Sequence, residues 1–198
     1  MKKKRSYHHG NLAESLLNAV EEIATQFGLE AVTLRACAKL VGVSPSSAFR
    51  HYADKRALLT AFATKALIQL TESMTTARDK AEAKSTNAFH AVGLAYIEFA
   101  IDRPAFFRAM WREETIYSND ENYRTAANAL SRNLTAGFAD TIRDHDPDSL
   151  SSQELLAWSS VHGLANLFVD GPVGTEDSKK EKMQKAQEML EALADSIT

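Results

Sequence analysis

The sequence predicts an all-α protein of about nine helices, in which a small three-helix N-terminal unit precedes a larger helical bundle. Three features carry that expectation. Only 4 Pro and 8 Gly punctuate 198 residues, while the good helix formers Ala, Leu, Glu and Lys are abundant. Apolar residues recur at three- and four-residue spacing, and no stretch alternates apolar with polar as a strand would. Capping residues open the periodic segments, and Gly or Pro closes them.

The first helix, about 11–27, opens on Asn11 with Glu14 three positions on, and carries Leu16, Leu17, Val20, Ile23, Ala24 and Phe27 on one face before Gly28 stops it. Thr33 caps a second helix of barely two turns, with Leu34, Cys37, Ala38 and Val41 inward and Gly42 as its end. Ser44 caps a third, with Pro45 at the first position, where a missing N–H costs nothing; this helix runs to Tyr52. Val43 is placed to plug the gap between the second and third. Asp54 caps a long fourth helix reaching about Lys80, with Leu58, Leu59, Phe62, Ala66, Leu70 and Met74 along it. A loop is expected near 81–86, although Ala, Glu and Lys there also suit a continued helix.

The fifth helix, about 87–101, presents Phe89, Val92, Tyr96 and Phe99; Pro104 then starts a sixth through Trp111. Residues 112–118 read as loop. Asn119 with Asp120 and Glu121 starts the seventh, about 120–144, which ends at the turn residues His145-Asp146-Pro147-Asp148. Ser151 with Glu154 forms a capping box for the eighth, about 152–169, stopped by Asp170-Gly171-Pro172, and Ser178 with Glu181 does the same for the ninth, about 179–196.

Composition narrows the class. An apolar content of 44% with 25% charge suits a globular protein, and every apolar run ends well short of the ~18–20 residues that span a bilayer. With no apolar signal-peptide core, a cytoplasmic address is the expectation. The lone cysteine, Cys37, excludes an internal disulfide and a multi-cysteine zinc site; it reads as a buried small residue rather than a reactive thiol. Residues 1–60 hold nine Lys and Arg against five acids, a balance of +4 that leaves −7 on residues 61–198. A basic front on an acidic body suits a polyanion bound through one end.

Two short helices joined by a Gly-bearing tight turn form the helix-turn-helix pattern. A helix that enters a major groove ~12 Å wide needs small side chains at its N-terminal end, and hydroxyls there both donate and accept. Ser44, Ser46 and Ser47 meet that need. Arg35, Lys55 and the helix N-terminal amides are placed for phosphates or, for the arginine, a guanine edge. Taken alone, the same serines also read as ordinary caps.

The run Thr33-Leu34-Arg35-Ala36-Cys37-Ala38-Lys39-Leu40-Val41-Gly42-Val43-Ser44-Pro45-Ser46-Ser47-Ala48-Phe49-Arg50-His51-Tyr52-Ala53-Asp54-Lys55-Arg56-Ala57-Leu58-Leu59 resembles the DNA-binding signature of the TetR family, and Tyr7-His8-His9-Gly10-Asn11-Leu12 resembles a common opening there. The resemblance implies base contacts from Arg35, Ser44, Pro45, Ser46 and Ser47. It implies backbone contacts from Phe49, His51 and Lys55, and a phosphate-facing cap at Thr33. Phe49 stands where tyrosine is more frequent and lacks the phenolic hydrogen bond to phosphate; Arg50 is placed to substitute electrostatically. The basic arm 2–5 either reaches DNA or is a solvated tail.

In the eighth helix, Trp158-Ser159-Ser160-Val161-His162-Gly163-Leu164-Ala165-Asn166-Leu167 resembles the Trp–His-Gly motif of one class of TetR C-terminal domain. Two jobs compete for the aromatic faces of the body. Phe89, Tyr96, Phe99, Phe107, Met110, Trp111, Trp158 and His162 are candidates to wall a pocket for a small-molecule inducer, and they serve equally as core. Gly163 and Ala165 are small enough to let the eighth helix approach a partner, and the ninth has a stripe of Met183, Ala186, Met189, Leu190 and Leu193. By resemblance, these two helices build a homodimeric four-helix bundle.

The expectation is therefore a ligand-responsive regulator, most simply a repressor, that binds a palindromic double-stranded DNA operator. Residues 1–55 would read DNA and 56–198 would bind ligand and dimerise. The alternative is a helical small-molecule sensor without DNA binding. No enzyme is expected, because there is no phosphate-cradling glycine loop, HExxH or Gly-x-Ser-x-Gly. No cofactor or metal is expected either, since His8-His9 in an arm makes a poor site.

Overall fold

The computed structural model describes residues 12–136 and 151–197, which form nine α-helices and, among the described residues, no strand. These are α1 (Leu12–Phe27), α2 (Leu34–Val41), α3 (Pro45–Phe49), α4 (Lys55–Ala83), α5 (Ala88–Asp102), α6 (Pro104–Met110), α7 (Glu121–Ala136), α8 (Ser152–Val169) and α9 (Lys179–Ile197). The basic arm, His8-His9, the Asn11 cap and the turn at 145–148 lie outside the described residues.

Local hydrogen bonding explains where most helices start. Thr33 Oγ1 accepts from Ala36 N at 3.0 Å, Ser44 Oγ from Ser47 N at 3.2 Å, and Asp54 Oδ1 from Ala57 N at 2.8 Å. Ser151 and Glu154 exchange both bonds of a capping box, and Ser178 pairs with Glu181 in the same way. Gly42 ends α2 in the left-handed conformation at φ +82°, which a residue with a Cβ adopts only under strain.

Four expectations need correction. The third helix is regular only over Pro45–Phe49; Arg50 and His51 form a turn and Tyr52 is already outside it. α4 continues through Ala83, so the 81–86 loop shrinks to residues 84–87. Residues 113–115 make a 3₁₀ turn and Ile116 behind them is fully buried, so this segment is a packed connection. Phe27 is 71% exposed, because the helical period carries the last turn of α1 past the edge of the core. Val43 is half-buried and packs against the core as the sequence suggests, its N–H donating to the Ala38 carbonyl at 2.9 Å, and Ala48 of α3 is fully buried.

α1, α2 and α3 pack on one another, and α1 also rests on α4 and α6. α4 is the spine of the body, touching α5, α6 and α7, while α5 touches α8 and α9. Gly93 permits the last of these approaches: a Cβ there would lie 2.8 Å from a Leu190 methyl. Ala186, Leu190 and Leu193 of α9 are consequently buried inside the protomer, as is Ala165 of α8. Gly163 faces open space, and Leu155, Leu156 and Leu167 stay exposed.

Cys37 is fully buried, and burial pushes its thiol up to about 11. Thiol reagents are therefore expected to leave the native chain unlabelled at neutral pH, with labelling that tracks urea unfolding; rapid native labelling would contradict the burial.

Candidate functional site

Two regions carry the chemistry, a polar face on the head and an aromatic cavity in the body. On the head, α2 and α3 present Thr33, Arg35, Ser44, Pro45, Ser46, Phe49, Arg50 and His51 as exposed residues, with Ser47 half-buried. Ser44 Oγ lies 2.9 Å from Ser47 Oγ, and Arg50 Nη2 donates to that same Ser47 oxygen at 3.1 Å. The chain Ser44–Ser47–Arg50 thus stiffens the one exposed face of α3. Lys55 Nζ donates to the Glu30 carbonyl at 3.0 Å, which holds its charge at the edge of this face. Tyr52 is turned inward, its hydroxyl donating to the Ala13 carbonyl at 3.5 Å.

The head is bolted to the body at three places. Arg103 donates from Nε and Nη2 to both Glu21 oxygens at 2.6 and 3.0 Å, the fork geometry of a strong ion pair. Lys65 pairs with Glu14. The segment after α6 makes the third joint: Arg112 reaches Glu30 at 2.8 Å, while within the body Tyr117 N donates to Thr60 Oγ1 at 2.8 Å and Arg56 donates to the Ile116 carbonyl at 2.6 Å, fixing this segment on the first turns of α4. The Tyr117 hydroxyl donates to Asp54 Oδ2 at 2.6 Å, and this bond, with the Ala57 N–H, holds the Asp54 carboxyl below its ordinary range. One carboxylate therefore caps α4 and receives the body.

The body holds a partly open cavity of about 150 Å³. Its walls come from Leu67 of α4, Trp111 just after α6, Tyr123, Leu130 and Leu134 of α7, and Trp158 of α8. A void of about 20 Å³ adjoins it, bordered by Phe89, Tyr96 and Trp158. Of the eight candidates, Trp111 and Trp158 thus face the larger space, with Phe89 and Tyr96 at the smaller one. Phe107 and His162 lie behind them, their ring centroids 5.6 Å apart. Met110 is buried and its carbonyl accepts from the Tyr123 hydroxyl at 3.3 Å. Phe99 looks the other way, stacked on Phe106 with centroids 6.5 Å apart. Sequence reasoning missed the contribution of α7, whose Tyr123, Ala127, Leu130, Ser131 and Leu134 close the cavity.

His162 is the hub of the aromatic cluster, with Trp111 at 4.9 Å and Trp158 at 6.1 Å between ring centroids. Asn166 Nδ2 donates to His162 Nε2 at 2.8 Å and to the His162 carbonyl at 3.1 Å. The ring proton then sits on Nδ1, which donates to the Tyr96 hydroxyl oxygen at 2.8 Å. Burial pushes the imidazole below its ordinary value of 6.5, so the folded state favours the neutral ring. Its contribution to stability is present above pH 6.5 and is lost as pH falls from there through the folded value. Urea unfolding between pH 7.5 and 5 is expected to show a steeper acid loss in the parent than in a His162→Gln variant. Equal slopes would overturn this.

Comparison with known proteins gives the chain its relatives. Residues 16–62 match the model for bacterial regulatory proteins of the tetR family, and residues 89–193 match the tetracyclin repressor-like C-terminal domain. The chain is similar to YobS of Bacillus subtilis, an uncharacterized HTH-type transcriptional regulator, with 31% identity over 100 residues covering 50% of this chain and 51% of that protein. The match thus spans about half the length of this curated relative. Among solved structures, a protein with unknown function from Rhodococcus sp. RHA1 superposes with a TM-score of 0.74 at 26% identity, over 98% of this chain and 97% of the other. PfmR, a TetR family transcriptional regulator from Thermus thermophilus, shares the fold with a TM-score of 0.66 at 17% identity, over 91% and 97%.

Proposed function

The chain belongs to the TetR family of bacterial regulatory proteins, and from that premise we propose that it is a ligand-responsive repressor which binds a palindromic operator as a homodimer. The observation that carries this reading is the α2–Gly42–α3 unit, with Arg35 and the α3 serines exposed on one face of a basic head. Arg35, Ser44, Pro45, Ser46 and Ser47 are assigned to the bases. Thr33, Phe49, Arg50, His51 and Lys55 are assigned to the sugar–phosphate backbone.

Residues 1–55 serve as reading head and 56–198 as body. Dimerisation is assigned to α8 and α9, with α8 presenting the exposed Leu155, Leu156 and Leu167 around the open Gly163 position, while Ala186, Leu190 and Leu193 of α9 face the protomer's own core; solvent-facing leucines grouped in this way mark an interaction surface. Two heads related by a two-fold axis meet half-sites ~34–36 Å apart, one helical turn of DNA. Binding alone accounts for both regions, so no catalytic step is assigned.

The third joint supplies the route from ligand to DNA. Trp111 is a cavity wall and Arg112, its neighbour, holds Glu30 of the head. A ligand that moves Trp111 pulls on residues 112–117 and hence on Asp54 and Arg56 at the start of α4. A coupling of ~1–3 kcal/mol between the two sites is enough for such a switch.

The test is a gel shift on DNA from upstream of the chain's own gene, repeated over a salt series. Tight binding at low salt that weakens steeply with added salt is expected. No shift at low salt would overturn the regulator reading.

A further inference from the structure

Packed interiors leave few voids larger than a water molecule, yet the body keeps one of about 150 Å³, roughly ten times the space a water needs. Leu67, Ala127, Leu130 and Leu134 and the ring faces of Trp111 and Trp158 make most of its surface. Side chains around such a space lack partners on one side, and a guest that fills it restores those contacts.

The polar atoms of the wall are turned away from this space. The indole nitrogens of Trp111 and Trp158 are buried, and both approach the hydroxyl of Tyr96, a residue that borders the small void and not this cavity. The Tyr123 hydroxyl proton is given to the Met110 carbonyl. Ser131 is exposed, which puts its hydroxyl at the mouth. Among the described residues no charged side chain lines the cavity. A guest hydroxyl held inside therefore gives up its water for nothing, and a guest carboxylate is buried without a counter-charge. The volume is below the usual range of ligand pockets and matches an apolar cavity that takes up benzene.

We infer that the effector held by the body is an uncharged, single-ring hydrocarbon of about the size of toluene, held by shape and by the exclusion of water, with no hydrogen bond from the wall. The inference rests on the reading of the body as the ligand-binding half and adds the class of ligand. The two tryptophans serve it with their ring faces, while their N–H groups stay with Tyr96.

The probes are toluene, phenol, which has a hydroxyl where toluene has its methyl, and benzoate. The chain has only two tryptophans, both in this wall, so their indole signals in the full-length ¹⁵N-labelled protein report occupancy. Toluene is expected to shift at least one of them and to bind roughly tenfold or more tighter than phenol, the cost of burying a hydroxyl without a partner. Benzoate is expected to leave both in place. Ala127→Leu fills the space from α7 and should abolish the toluene response; Ala127→Val, one carbon smaller, should weaken it and serves alone if the leucine variant does not fold. Tyr123→Phe should leave the toluene-to-phenol ratio unchanged, since that hydroxyl faces Met110. Saturating toluene is expected to change operator affinity roughly fivefold or more in the gel shift.

Phenol binding as tightly as toluene would mean a polar partner inside, and benzoate doing so would mean a carboxylate left in the mouth beside Ser131; either result overturns the inference. So does a toluene response undiminished in both Ala127 variants, an operator affinity that toluene leaves unchanged, or silence from all three probes. The gel shift of the probe-free protein reads the regulator assignment separately. A shift with unresponsive indoles sinks the ligand class alone, and no shift from a chain that still selects toluene over phenol sinks the regulator reading alone.

Discussion

A Ser46→Glu variant is expected to fold as well as its parent and to lose roughly hundredfold or more of its operator affinity. The two halves of this expectation come from the same position. Ser46 lies in the first turn of α3, one residue beyond Pro45, where a carboxylate is favoured by the helix N-terminus and no neighbour is displaced because the residue is exposed. On DNA that same carboxylate faces phosphates and the acceptor-rich major groove, a like-charge encounter worth several kcal/mol. Ser46→Gln separates charge from bulk and should cost much less. Thermal melting reads the fold and a gel shift the affinity. If Ser46→Glu binds as tightly as the parent, α3 does not enter a groove.

Arg35→Ala refines the picture. Should Arg35 hold a guanine edge, its loss costs about 1–3 kcal/mol and relaxes the preference at one base position. Should it hold a phosphate instead, binding weakens alike on every sequence and the salt slope falls by about one.

Legibility in the sequence followed the range of the interaction. Thr33, Ser44, Asp54 and the Ser151–Glu154 box were readable because each cap bonds to a backbone three residues away, so the pattern is complete within one turn. The exposed face of α3 was readable for the same reason. Phe27 misled because periodicity marks which face of a helix is apolar but not where the neighbouring element ends. The walls of the cavity were harder still. α7 is mostly polar, and its few apolar residues matter only because the chain folds them opposite Leu67 and Trp158, far away in sequence. Trp111 and His162 were visible as aromatics, yet their contact with each other and the bond from His162 to Tyr96 appear only once α5, α6 and α8 are set side by side.

Phe106→Ala is expected to destabilise the chain by about 3–5 kcal/mol, the range for removing a buried aromatic ring, and to lower its melting temperature by roughly 10 °C or more. The ring is fully buried where three elements meet. It stacks on Phe62 of α4 with centroids 4.4 Å apart and on Phe99 of α5, and the Arg103 guanidinium lies 4.4 Å above it. That guanidinium is the one forked onto Glu21 of α1, so the ring also props the joint between head and body. Truncation leaves a cavity beside a charge that has lost its aromatic support. Phe106→Leu keeps most of the volume and should cost far less. The head keeps its own contacts through Leu16, Val20, Cys37 and Ala48, so DNA binding is expected to persist below the lowered melting temperature. A Phe106→Ala chain within about 1 kcal/mol of the parent would show that this junction is not where the two halves are held together.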